Sequence, residues 1–103
     1  MATRKSKATR LLEELAGGPL TLGRYVCSIR EDEEMSQVEF ARKLGISKSH
    51  LCDIEKGRKP VSAARAAEMA RILGYGEKQF VLLALQDAMK RAGLDYHVRI
   101  SAA

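Results

Sequence analysis

The side chains able to do covalent or metal chemistry are few in this sequence and poorly arranged for it. Cys27 and Cys52 stand in different parts of the chain, with neither metal-ligand spacing nor a companion histidine cluster. Two thiols cannot make a zinc site alone, so both read as reduced cysteines, and neither a metal nor a cofactor is expected. No paired carboxylates, nucleophile–base set or phosphate-cradling glycine loop stands out, and catalysis is therefore not expected.

The chemistry that remains is ionic recognition. Arg42, Lys43, Lys48, Lys56, Arg58 and Lys59 lie between positions 42 and 59 against only Asp53 and Glu55, and this stretch holds most of the net charge of +5. Arg4, Lys5, Lys7 and Arg10 form a second basic group, whereas Glu31, Asp32, Glu33 and Glu34 cluster just ahead of the first. Segregation of this kind suggests one face for a polyanion and another turned away from it.

The elements that must position those residues are helices. The chain has 103 residues, enough for one domain, with 5% aromatic residues and no tryptophan, and its Ala- and Leu-rich balance suits helix interiors. Residues 1–19 read as a basic arm followed by a short helix from Thr9 to Ala16, ended by Gly17, Gly18 and Pro19. Thr21 caps a first main helix running to about Glu34, with Leu22, Val26 and Ile29 as its apolar stripe. Ser36 with Glu39 makes a capping box for a short helix that turns Phe40, Ala41 and Leu44 inward and stops at Gly45. Ser47 caps the next, which ends near Lys56 and Gly57. A fourth runs from Ser62 to Leu73 and a fifth from Glu77 to about Ala92. After Gly93 the period changes: Leu94, Tyr96, Val98 and Ile100 alternate with polar residues, a strand signal. No apolar run approaches the length of a membrane span, so a soluble, cytoplasmic protein is expected.

The stretch from Ser36 to Leu51 concentrates the functional signal. Two helices of about eight residues are joined by a very short turn. Ala41 allows the helices to approach, Gly45 can take the left-handed conformation that reverses the chain, and Ile46 plugs the corner. This arrangement lets a second helix protrude into a DNA major groove. On that helix Leu51, Ile54 and Glu55 point inward, which turns Lys48, Ser49, Cys52, Asp53 and Lys56 outward. Lys48 and Ser49 are the best candidates for base edges, and Asp53 could accept from a cytosine amino group. Ser47, His50, Lys56, Arg58 and Lys59 fall to the phosphate backbone.

At these residues the chain resembles the phage-repressor type of helix-turn-helix proteins, the lambda repressor and Cro family, over roughly residues 20–75. The resemblance extends to Gln37, to Glu55 followed by Lys56-Gly57-Arg58-Lys59-Pro60, and to Met69-Ala70-Arg71-Ile72-Leu73-Gly74. It implies that Gln37 holds a DNA phosphate and that Arg30 forms a buried ion pair with Glu55. It also implies an all-α, five-helix DNA-binding domain at 20–76, to which the periodicity adds a 77–103 dimerisation region of helix and β-strand, with Leu94, Tyr96, Val98 and Ile100 as its contacts. The expected function is a homodimeric transcriptional repressor that binds double-stranded DNA at a palindromic operator. One recognition helix contacts too few base pairs to find an address, whereas two about 34 Å apart suffice. An antitoxin that also binds a protein toxin is the alternative, and an RNA-binding or bridging module is a further rival.

Overall fold

The computed structural model describes residues 20–101, a molecule of 37 × 34 × 26 Å. The basic arm and the helix expected at Thr9–Ala16 lie outside the described residues. Five helices follow one another: α1 (Leu22–Asp32), α2 (Gln37–Leu44), α3 (Lys48–Glu55), α4 (Ala63–Leu73) and α5 (Glu77–Arg91).

Four of the five start on a hydroxyl cap. The side chains of Thr21, Ser36, Ser47 and Ser62 each accept the backbone N–H three residues on, satisfying donors that a helix start would otherwise leave unpaired. The fifth, α5, opens at Gly76 without a side-chain cap. The apolar stripes meet in one core. Leu22, Val26 and Ile29 of α1, Phe40 and Leu44 of α2, and Leu51 of α3 pack with Ala66, Met69 and Ala70 of α4 and Phe80, Leu83 and Ala84 of α5. Tyr25, Tyr75 and Phe80 add an aromatic group in which Tyr25 meets both other rings edge-on, the Tyr25 and Phe80 rings lying 5.4 Å apart. The α4–α5 pair makes the most extensive helix–helix contact, with α2 packed on α4 and α1 on α5.

Two boundaries differ from the periodicity. The first helix stops at Asp32, two residues early, because Glu34 adopts a left-handed φ of 56° and its neighbour Met35 donates back to the Arg30 carbonyl. The C-terminal β-strand does not form: no strand exists among the described residues, and Leu94–Ile100 is irregular. The reason is the absence of a ladder. Alternation sets which way side chains point, but a strand needs a neighbouring backbone. Here the Gln86 side chain supplies two of those hydrogen bonds instead, its Nε2 donating to the Tyr96 carbonyl (2.7 Å) and its Oε1 accepting from the Val98 N–H (2.9 Å). The segment is thus tied to α5 while Leu94 and Tyr96 stay 45% and 66% exposed.

Candidate nucleic-acid interface

The corner between α2 and α3 is assembled from local chemistry. Ser36 and Glu39 form the full capping box, the Ser36 hydroxyl accepting from the Glu39 N–H and the Glu39 carboxylate from the Ser36 N–H. Those bonds hold the Glu39 carboxyl below its usual pKa. Gly45 sits at φ 72°, ψ 30°, where a side chain would be strained, and lets the Ile46 N–H return to the Ala41 carbonyl. Ala41 is buried and Ile46 packs partly against the core, as the turn requires.

Beneath α3 lies a polar network that fixes its end. Arg30 donates from Nε to Glu55 Oε2 (2.8 Å) and from Nη2 to Oε1 (3.2 Å), while its Nη1 reaches the Met35 carbonyl (3.1 Å). Gln37 donates from Nε2 to the same Glu55 Oε1, at 3.0 Å. The Arg30 and Glu55 side chains are only 16% and 5% exposed, so the pair is withdrawn from solvent. The bond to Glu55 raises the Arg30 pKa further and keeps the guanidinium charged. Burial, with Glu55 close by, pushes the Cys27 thiol up, which keeps it protonated. One carboxylate at the end of α3 therefore joins α1 to the first residue of α2, and Arg30 ties in the turn between them.

The same end of α3 is clasped from the other side. A Cβ on Gly23 would stand 2.1 Å from the Ile54 carbonyl oxygen, so α1 meets the α3 backbone where only glycine fits. At the start of α1, the Leu22 N–H donates to Asp87 Oδ2 of α5 (3.1 Å). Burial raises the Asp87 pKa, and the Leu22 bond and the nearby Arg91 and Lys90 oppose that rise.

With its inner side held, α3 presents an outer side of the expected composition. Leu51 and Ile54 are buried, Lys48 and Ser49 are exposed, and Cys52 and His50 are partly exposed. Ser47 spends its hydroxyl acceptor on the His50 N–H (3.0 Å). Lys56 and Lys59 stand exposed beyond the helix end. Asp53 and Arg58 are found together: Arg58 Nε donates to Asp53 Oδ1 at 2.9 Å. Gln37 likewise arrives already hydrogen-bonded, its amide held by Glu55.

Four contributors escaped the sequence reading, and three left a trace in it. Gly23 stands in the first turn of α1, where its missing side chain is the only trace of the close approach that it permits. Asp87 completes the inward series Phe80, Leu83 and Ala84 at helical spacing, a carboxylate where an apolar residue belongs. Arg65 sits one turn inside α4 and donates to the Leu44 carbonyl (3.3 Å) and to Glu68, securing an unsatisfied carbonyl at the end of α2. Gln86 carries no pattern that distinguishes it from a surface amide.

This geometry defines a helix-turn-helix: two short helices, a left-handed glycine between them, and a second helix braced behind and bare in front. A model of the helix-turn-helix domain matches residues 21–82, more than half of the chain, and the protein belongs to that family. The immunity repressor protein of Bacillus phage phi105 is 34% identical over 55 residues, covering 53% of this chain. The match takes in 38% of that relative's own length. No solved structure matches the chain. Among the described residues no helix is long and apolar enough to cross a membrane, and no cluster of His, Cys, Asp and Glu suits a metal ion.

Proposed function

We propose that this protein is a DNA-binding transcriptional regulator, a homodimeric repressor that reads a palindromic operator through α3. One observation carries the reading. The inner side of α3 is locked by Arg30, Gln37 and Glu55, while its outer side offers Lys48 and Ser49 at the end that would enter a major groove first. Lys48 suits guanine O6 and N7, and Ser49 is permissive. Gln37, Ser47, His50, Lys56 and Lys59 surround that face and suit phosphates, which position without reading sequence. Gln37 has a second amide proton for a phosphate while the first stays on Glu55. Repression needs only occupancy of a promoter, and no chemistry.

A dimer supplies the second half-site, and the apolar surface for it lies on α5 and the segment that follows. Val81, Leu82, Leu85 and Met89 of α5 remain partly exposed, and Leu94, Tyr96, Val98 and Ile100 adjoin them through the Gln86 tether. Two copies meeting there by a two-fold axis would bury both sets at once. An autoregulating antitoxin would use the same DNA interface, and a toxin gene next to its own would mark it.

Selection of bound fragments from a pool of random duplexes tests the reading. It should enrich an inverted repeat whose half-sites lie one helical turn apart, about 10 base pairs. Recovery of unenriched duplex, or binding to single-stranded RNA in preference when the two compete, would refute it.

A further inference from the structure

The return of the chain after α3 places a guanidinium where a phosphate contact alone would not require it. The Arg58 and Lys59 N–H groups both donate to the Asp53 carbonyl, at 2.8 and 3.2 Å, so the loop hooks back onto the helix. The Arg58 side chain then lies along the same residue. Its Nε reaches Asp53 Oδ1 at 2.9 Å, and its Nη2 reaches Cys52 Sγ at 3.7 Å. Arg58 is thereby held at both ends, by backbone and by side chain, over the residues that α3 turns outward. The two side chains keep 56% and 30% of their surface open, so the pair is not part of the core.

We infer that Asp53 and Arg58 act as one base-reading unit, in which Asp53 positions the Arg58 guanidinium to recognise guanine in the major groove. The inference rests on the DNA-binding reading above. With Nε committed to Asp53 and one Nη2 proton turned to Cys52, the Nη1 protons and the second Nη2 proton remain, and one from each nitrogen together match the O6 and N7 acceptors of guanine. The rotamer freedom of a long side chain is largely given up before binding, which lowers the cost of the contact. Asp53 alone would face a polyanion with its own negative charge. Paired, it becomes neutral in sum and gains the task of aiming its partner. Lys56 and Lys59, exposed on either side without such an anchor, remain the groups for phosphates.

Operator variants decide the matter in the full-length protein. Each base pair of a selected site is replaced in turn, and affinities are measured for wild type, Asp53→Ala, Arg58→Ala and the double variant. At one position per half-site wild type should prefer guanine. Either single substitution should lower that preference roughly tenfold, and the double should lower it no further. Preferences elsewhere in the half-site should persist. Two results would overturn the inference: Arg58→Ala weakening all duplexes alike, which marks a phosphate contact, or Asp53→Ala strengthening all duplexes with the guanine preference intact, which marks simple repulsion. A wild-type protein that selects no duplex would instead sink the DNA-binding reading itself, so the two failures are told apart.

Discussion

Helix α3 and the C-terminal segment of this molecule are held by different means. Around α3, burial of Leu51 and Ile54 is joined by specific polar and steric fits: Glu55 is shared by Arg30 and Gln37, Gly23 admits a carbonyl, and Gly45 reverses the chain. After α5, residues 94–101 are held chiefly by one glutamine side chain, with Leu94 and Tyr96 open to solvent. The first arrangement fixes a helix to a single orientation before any partner arrives. The second leaves an apolar segment in a position that a partner could complete. A reader of DNA needs the first to be rigid, because base contacts tolerate little error, and it can leave the second to be finished by assembly.

The sharpest break of this contrast is removal of one partner from the buried pair. Arg30→Ala or Glu55→Ala leaves an uncompensated buried charge and should cost about 3–5 kcal/mol in denaturant unfolding. Replacing both with apolar residues should cost less than the sum of the two, and strict additivity would mean that the pair contributes no coupling. Gly23→Ala comes next. Its new methyl would collide with backbone rather than with a flexible side chain, so a loss of about 1–3 kcal/mol is expected. An unchanged melting temperature would show that α1 and α3 do not meet backbone to backbone.

The C-terminal segment should respond differently. Gln86→Ala removes two hydrogen bonds worth about 0.5–1.5 kcal/mol each, so unfolding should shift little while amide exchange at Val98 accelerates sharply. Truncation after Gly93 should move the protein toward monomer in sedimentation and lower operator affinity together. A truncated protein that stays dimeric at low micromolar concentration would pass the dimer contact to α5.

The smallest effect is a pH dependence. Asp87 has a raised pKa in the folded protein, so the folded state takes up its proton more readily than the unfolded chain does. Its charge therefore costs stability; the cost is absent below about pH 4 and grows with rising pH until the folded pKa is passed. Asp87→Asn should remove this falling component, and a profile identical to wild type would show that the carboxylate is not buried.

The sequence was most legible where structure is local. Caps at Thr21, Ser36 and Ser47, the reversal at Gly45 and the inward residues Leu51 and Ile54 all depend on neighbours within a turn or two, and each stands where its spacing places it. The Arg30–Glu55 pair spans two helices and was legible only through family resemblance. The strand was misread because alternation is local while its ladder is not, and Gln86 could not be seen to substitute for one. Asp53 and Arg58 were each assigned singly, since nothing in a linear pattern shows that the loop after α3 folds back.

The central claim is that the outer side of α3 divides into sequence-reading and phosphate-holding residues. Equilibrium titration of a selected operator and a scrambled duplex, at two salt concentrations, tests it most directly. Lys48→Ala and Ser49→Ala should reduce the operator-to-scrambled ratio, by about 1–3 kcal/mol per base contact, with little effect on the scrambled duplex. Lys56→Ala and Lys59→Ala should weaken both duplexes alike and flatten the salt dependence by about one unit of slope each. If all four variants lose affinity for both duplexes equally and the ratio never moves, α3 is not the element that reads the sequence.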